Sequence, residues 1–214
     1  QRQMCIRDRV KDVSFHYTGD VPILENVNIC LNSGDYAILT GENGSGKSTL
    51  LEALAVACGF NPEGGTKNYI FSTYDSHSQL HEAIRVVKGY RQAKWGYFLR
   101  AESFYNVATK ELEYSDWAHP SEKYHEKSHG ESFLALTQNH LRPNGLYLFD
   151  EPEAALSPQR QLTLLMEIYS CAKEGSQFII VTHSPILLGI PDAQILSFDD
   201  GIVHKCEYED TQSY

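Results

Sequence analysis

GENGSGKST, from Gly41 to Thr49, carries the most specific chemistry in the chain. It fits G-x-x-x-x-G-K-[ST] in full and stands between an apolar run, YAILT, and a leucine- and alanine-rich run, LLEALAVACGF. In a strand–loop–helix of this kind the backbone N–H groups turn inward and cradle phosphate oxygens, and the helix N-terminus adds partial positive charge. Gly41, Glu42, Asn43, Gly44, Ser45, Gly46 and Thr49 build that cradle around Lys47 and Ser48. The pattern assigns Lys47 to the β and γ phosphates of a nucleotide and places the Ser48 hydroxyl on Mg²⁺.

Three further stretches add to this set. LYLFDEPE, Leu146 to Glu153, is an apolar run that delivers two adjacent carboxylates at its end. Such a pair is costly to bury unless it serves a cation or a water. Asp150 suits the metal shell, and Glu151 suits the attacking water, where a base contributes about 10²–10⁴ in rate. VTHSP puts His183 at the end of the next apolar run, about 30 residues further on, where a neutral imidazole can hydrogen-bond a phosphate. KSHGESFLAL, from Lys127, holds Ser128 and Gly130 in front of a helix-like pattern. Two readings fit it. Ser128 to Glu131 matches the S-x-x-E capping box, which needs no ligand. The same free N–H groups can instead face a phosphate.

The elements that must position these residues alternate in type. VKDVSFHY from Val10 and ILENVNICLN predict two strands, an antiparallel β portion at the N-terminal end. YAILT, LYLFD, QFIIVTH and AQILSFDD predict buried strands, and GIVHKCEY a terminal strand that pairs back. Helices are expected after the glycine-rich loop, from Ser128 to about His140, and over QRQLTLLMEIYSCAKEG. This order gives an α/β fold, a P-loop core with a mainly parallel sheet and helices on its faces. Between about residues 62 and 140 the pattern loosens into short helical stretches such as SQLHEAIRVV, expected as a helical insert within a single domain.

With 214 residues the chain suffices for one substantial core, and its 42% hydrophobic content is spread throughout. No apolar run reaches the roughly 20 residues of a membrane-spanning helix. Five scattered cysteines without a CxxC pair fit reduced thiols in a cytoplasmic setting. A net charge of −10 argues against a whole-surface nucleic-acid binder. Locally, six basic residues (Arg85, Lys88, Arg91, Lys94, Arg100, Lys110) face one acid, Glu102, with Tyr90, Trp95, Tyr97 and Phe98 among them. This 85–110 stretch suits a DNA contact, an acidic protein partner or a solvated helical face. His77 and His81 are spaced as zinc ligands can be, but no obvious third ligand follows, and a solvated helix face fits them better. Residues 1–9, QRQMCIRDR, resemble the translation of a transposase sequencing adapter. Native sequence is then expected to begin near Val10, with a net charge nearer −12, since those nine residues carry a surplus of two positive charges.

Taken in order, these stretches resemble the ATP-binding-cassette (ABC) type of ATPase domain. KSHGESF occupies the slot of the signature motif LSGGQ, with Ser128, Gly130 and Glu131 at matching positions and Lys127 and His129 as departures. AALS, Ala154 to Ser157, resembles the loop after the Asp-Glu pair, with Ser157 in place of its usual aspartate. The runs GFNPEGGTKN, FLRAESFYNVAT, LFDEPEAALSPQRQL and GSQFIIVTHSPILL are similar to small bacterial stand-alone "AAA family ATPases" of ABC type, from about Val21 to Asp210. Those proteins usually continue past the point where this sequence stops, so a C-terminal truncation is expected.

The resemblance implies ATP and Mg²⁺ as ligands, hydrolysis to ADP and phosphate, and a homodimer in which Ser128 and Gly130 face the nucleotide of a second chain. It offers Tyr17 as an adenine-stacking residue, with a core tyrosine as the plain alternative. It also offers Gln79 as the Mg²⁺ and γ-phosphate sensor, with His77 or Ser78 as substitutes. The expected role is a stand-alone cytoplasmic ATPase in DNA maintenance or phage defence. The alternatives are the nucleotide-binding subunit of a membrane transporter, or a nucleotide-gated binding module with little turnover.

Overall fold

The computed structural model describes residues 7–15, 24–32, 34–67, 80–84, 86–87, 93, 95–104, 106–107, 109, 129–199 and 203–213. Its centre is a six-stranded sheet in the order β5-β6-β7-β3-β8-β9. The strands are β3 (Tyr36–Thr40), β5 (Trp95–Arg100), β6 (Gly145–Asp150), β7 (Gln177–Val181), β8 (Gln194–Ser197) and β9 (His204–Cys206). The first five in that spatial order run parallel, and β9 turns back antiparallel on β8. A separate antiparallel sheet joins β1 (Arg7–Phe15), β2 (Leu24–Asn32) and β4 (Val86–Val87) in the order β2-β1-β4.

Side chains of the central strands alternate between two cores. Ala37, Leu39, Leu146, Leu148, Ile179 and Val181 pack on one face against α1 (Lys47–Ala57) through Leu50, Leu51 and Leu54. Tyr36, Ile38, Tyr147, Phe149, Phe178 and Ile180 pack on the other. That second face is covered by α3 (His129–His140) through Phe133 and Leu136 and by α4 (Pro158–Lys173) through Leu164, Ile168, Cys171 and Ala172. The α4 spacing of i, i+4, i+7 and i+8 is the apolar stripe of a surface helix. Each fully buried Leu, Ile or Phe contributes about 1.5–3 kcal/mol. Two short α-helices, α2 (Leu80–Ala83) and α5 (Pro185–Leu188), and two 3-10 turns, Pro152–Ala155 and Tyr208–Asp210, complete the described elements. Among the described residues no helix is long and apolar enough to cross a membrane.

Two expectations need correction. The segment expected as a helical insert sends β5 into the main sheet, in register with β6 from Trp95↔Gly145 to Arg100↔Asp150. Trp95 stays exposed, but two further aromatics turn inward. Tyr97 and Phe98 are almost wholly buried, one in each core, so they are structural and not a nucleic-acid contact. Among the described residues of the run SQLHEAIRVV, Leu80–Ala83 is helical and Val86–Val87 pairs with β1. The β-branched pair extends readily beside a strand partner that sequence alone does not supply. β1 itself starts at Arg7, ahead of the expected Val10.

Tyr147 ties the turn before β6 to the core. Its hydroxyl accepts from the Arg142 N–H at 2.6 Å and reaches the Arg142 and His140 carbonyls at 2.9 and 3.1 Å. Burial pushes this phenol up to about 12. Tyr147→Phe leaves those backbone groups without that partner and is expected to cost about 1–3 kcal/mol. Urea denaturation checks this, and an unchanged midpoint would contradict it.

Candidate functional site

Parallel strands of one sheet end together, and here the ends converge on one loop. β3 feeds directly into the glycine-rich turn, in which Gly41, Gly44 and Gly46 take positive φ of 142°, 84° and 86°. Only glycine adopts such angles without strain, so the loop can curl back on itself. Gly46 is the N-cap of α1 and no side chain caps the helix, which leaves first-turn N–H groups for an anion. Lys47 is 4% exposed and its ammonium donates to the Glu42 carbonyl at 3.0 Å, folding across the loop. Burial lowers its pKa, while Glu151, Asp150, Asp199 and Glu153 act to raise it. Asp199, just beyond β8, accepts from the Glu42 N–H at 3.2 Å and from the Ser197 hydroxyl at 2.5 Å, which anchors the loop from the far side.

Across the groove, β6 delivers Asp150 at 7% exposure. Burial pushes its carboxyl up to about 6, against the opposing influence of Arg100 and a hydrogen bond from Ser48. Glu151 follows in a left-handed conformation, φ 48° and ψ 52°, with its N–H on the Val181 carbonyl at 2.9 Å. A non-glycine residue held there costs about 1–3 kcal/mol and marks a site where side-chain direction matters. That turn lifts Glu151 off the strand line and into the groove. With Asn43, Gly44, Gly46, Lys47, Ser48 and Thr49 it lines a cleft of about 170 Å³ that opens to solvent.

His183 sits just past β7, with Nε2 3.8 Å from Glu151 Oε1. Its backbone N–H donates to Glu153 at 2.6 Å, and its carbonyl accepts from the Ser213 hydroxyl at 3.1 Å. Ser184 caps α5 through Ile186 and Leu187.

The residues fit Mg²⁺ and a nucleotide phosphate. Asp150 Oδ1 and Ser45 Oγ are buried without a hydrogen-bond partner among the described residues, which leaves a buried acceptor and a buried hydroxyl for ligands to satisfy. Ser48 and Asp150 are hard oxygen donors, too few to form a cage. Mg²⁺ is held in this way, by one or two protein oxygens together with substrate phosphates.

The structure brings together Gly41 to Thr49, Asp150, Glu151 and His183. Tyr17, Gln79 and Ser128 lie outside the described residues, as do Lys127, His77, Arg85, Lys88, Arg91, Lys94 and Lys110. Gly130, expected to face a nucleotide, is buried on its own chain. A Cβ there would stand 2.8 Å from the Ala155 carbonyl and 2.8 Å from Arg160, so only glycine lets α3 lie this close to the turn after Asp150. Glu131 pairs with Arg160 at 3.1 Å.

Arg100 is the residue that the sequence reading placed elsewhere. Its sequence neighbours group it with the basic stretch, yet it closes β5 beside Asp150 and its guanidinium turns inward. A usable signal was present. WGYFLR and GLYLFD are both apolar runs that end in one charge, of opposite sign.

A model of the ABC transporter family matches residues 24–154, and a model described as "AAA domain, putative AbiEii toxin, Type IV TA system" matches residues 131–189. The zinc transport system ATP-binding protein AdcC of Streptococcus pneumoniae is 24% identical, over 94% of this chain and 91% of its own. The cytochrome c biogenesis ATP-binding export protein CcmA of Rhizobium etli is 29% identical, over 83% and 88%. Among solved structures, cbiO1 of Clostridium perfringens, part of the ABC transporter complex cbiONQ, covers 95% of this chain and 89% of its own at TM-score 0.61 and 16% identity. A putative metal-chelate type ABC transporter covers 97% and 85% at TM-score 0.61 and 19% identity. These structural likenesses share the fold. The ABC transporter model spans more than half of the chain and runs from β2 through the turn after Asp150, so this chain belongs to the ABC transporter family of ATP-binding, Mg²⁺-dependent ATPase domains.

Proposed function

We propose that this chain is the nucleotide-binding subunit of a membrane transporter and that two copies work as a pair. The observation that carries the reading is the reach of the ABC transporter match through both nucleotide motifs, from residue 24 to residue 154. The relatives support it, being ATP-binding subunits of transport systems. Their cargoes differ, as zinc transport in one and molybdate import in another illustrate, so no cargo is assigned to this chain.

Each residue takes a separate task in this reading. The loop N–H groups and Lys47 hold the phosphates and disperse their charge. Ser48 and Asp150 would hold Mg²⁺, which when bound would neutralise charge on the phosphate oxygens. Glu151 orients a water and takes its proton as the water oxygen bonds to the γ-phosphorus and the bond to the ADP oxygen breaks. His183, next to Glu151, donates a hydrogen bond toward the γ-phosphate side of the groove.

The start of α3 supports the pairing. Its N-terminal turn packs on Ala155 and Arg160 of its own chain, and none of the described residues lining the nucleotide cleft belongs to α3. In this reading the phosphate that the helix start serves is one held by a second chain.

The AAA-domain match over residues 131–189, with Lys127 and His129 in the signature slot, favours a second reading as a stand-alone ATPase. Turnover stimulated by DNA and independent of any membrane protein would mark that case.

Glu151→Gln keeps the size of the side chain and removes the base. Turnover is expected to fall about 10²–10⁴-fold, with ATP retained and the dimer accumulating. A tagged Glu151→Gln chain purified from detergent-extracted membranes of its source is expected to carry an integral membrane protein. Recovery as an ATP-bound dimer without one would favour the stand-alone reading, and recovery as a monomer with ATP bound would contradict pairing.

A further inference from the structure

Arg100 has more acidic neighbours than one guanidinium needs. Nη1 lies 2.5 Å from Glu52 on α1, Nη2 3.7 Å from Glu102, and Nε 3.5 Å from Asp150 Oδ2. The Glu52 contact is a short charge-assisted hydrogen bond. The Asp150 contact is an ion pair too long to be a hydrogen bond. Nε is buried without a hydrogen-bond partner among the described residues, and so is Asp150 Oδ1. The arginine is thus held firmly by the helix that follows the phosphate loop and loosely by the carboxylate assigned to the metal.

Strand register places it there. Arg100 and Asp150 are Cα partners at the ends of adjacent parallel strands, and the Ala101 N–H donates to the Asp150 carbonyl at 3.3 Å. Arg100 side-chain exposure is 19% and that of Asp150 8%, so water screens their interaction weakly. A cation approaching Asp150 meets a fixed positive charge already beside it.

We infer that Arg100 is a positioning residue that competes with Mg²⁺ for Asp150, and that Glu52, by drawing the guanidinium toward α1, sets the Mg²⁺ concentration at which the site fills. The inference rests on the assignment of Ser48 and Asp150 to Mg²⁺. Without metal, Arg100 compensates the buried carboxylate. With metal bound, the guanidinium charge is carried by Glu52 and Glu102. The device couples α1 to the metal position through one side chain and requires no movement of the strands.

The experiment is equilibrium binding of a fluorescent ATP analogue to the full chain as free Mg²⁺ is varied, with a parallel titration in EDTA. Arg100→Gln is expected to lower the half-filling Mg²⁺ concentration about tenfold, and Glu52→Gln to raise it about threefold, the scale set by a single neighbouring charge. Arg100→Lys keeps the charge and is expected to stay near the wild-type value. Urea denaturation of each variant reports whether it is folded, and Glu52→Gln carries the test if Arg100→Gln is not. A role in packing alone would not move the two midpoints in opposite directions. Unshifted midpoints in folded variants would overturn the inference, as would a loss of EDTA-state binding in Arg100→Gln, which would place the guanidinium on the phosphates. Wild-type binding without Mg²⁺ dependence would instead overturn the metal assignment, and the inference with it.

Discussion

Holding Lys47, Arg100 and Asp150 away from water is the constraint around which this fold is arranged. Each charge would be costly to bury alone. Lys47 is offset by the Glu42 carbonyl and by the carboxylates across the groove, Asp150 by Ser48 and Arg100, and Arg100 in turn by Glu52 and Glu102. These partners come from β5, β6, α1 and the loops after β3 and β8. Only a sheet whose parallel strands end together brings them within one another's reach. The apolar layers above and below keep those strand ends in register.

The same arrangement stores strain where chemistry is needed. Glu151 leaves the extended run of β6 for a left-handed conformation, and its backbone is held there by the Val181 carbonyl of the neighbouring strand. Its side chain then shares a groove with Lys47 and Ser48 and stands next to His183. A relaxed extended backbone at residue 151 would aim that carboxylate elsewhere.

Much of this was legible from sequence because the informative residues are local. GENGSGKST, LYLFDEPE and VTHSP each announce a strand end with a chemical group, and the structure joins all three. The strands YAILT, LYLFD and QFIIV were equally plain, being apolar on both faces. What escaped reading depends on partners far away in the chain. WGYFLR looked like part of a charged, aromatic insert, because nothing within its own residues shows that Tyr97 and Phe98 are covered on both sides. Arg100 looked like one of several surface cations, since its meaning comes from Glu52 and Asp150, both some 50 residues distant. Gly130 has a packing role that its motif does not show, since a side chain there would meet the Ala155 carbonyl of its own chain.

The central claim is that one chain supplies the phosphate loop, metal ligands and base, while the hydrolysing site is completed by the helix start of a second chain. Specific ATPase activity measured against chain concentration, with light scattering on the same samples, tests it most directly. The account predicts activity that rises with concentration in step with the dimer fraction. Constant specific activity across concentrations at which the scattering mass is that of a single chain would contradict it.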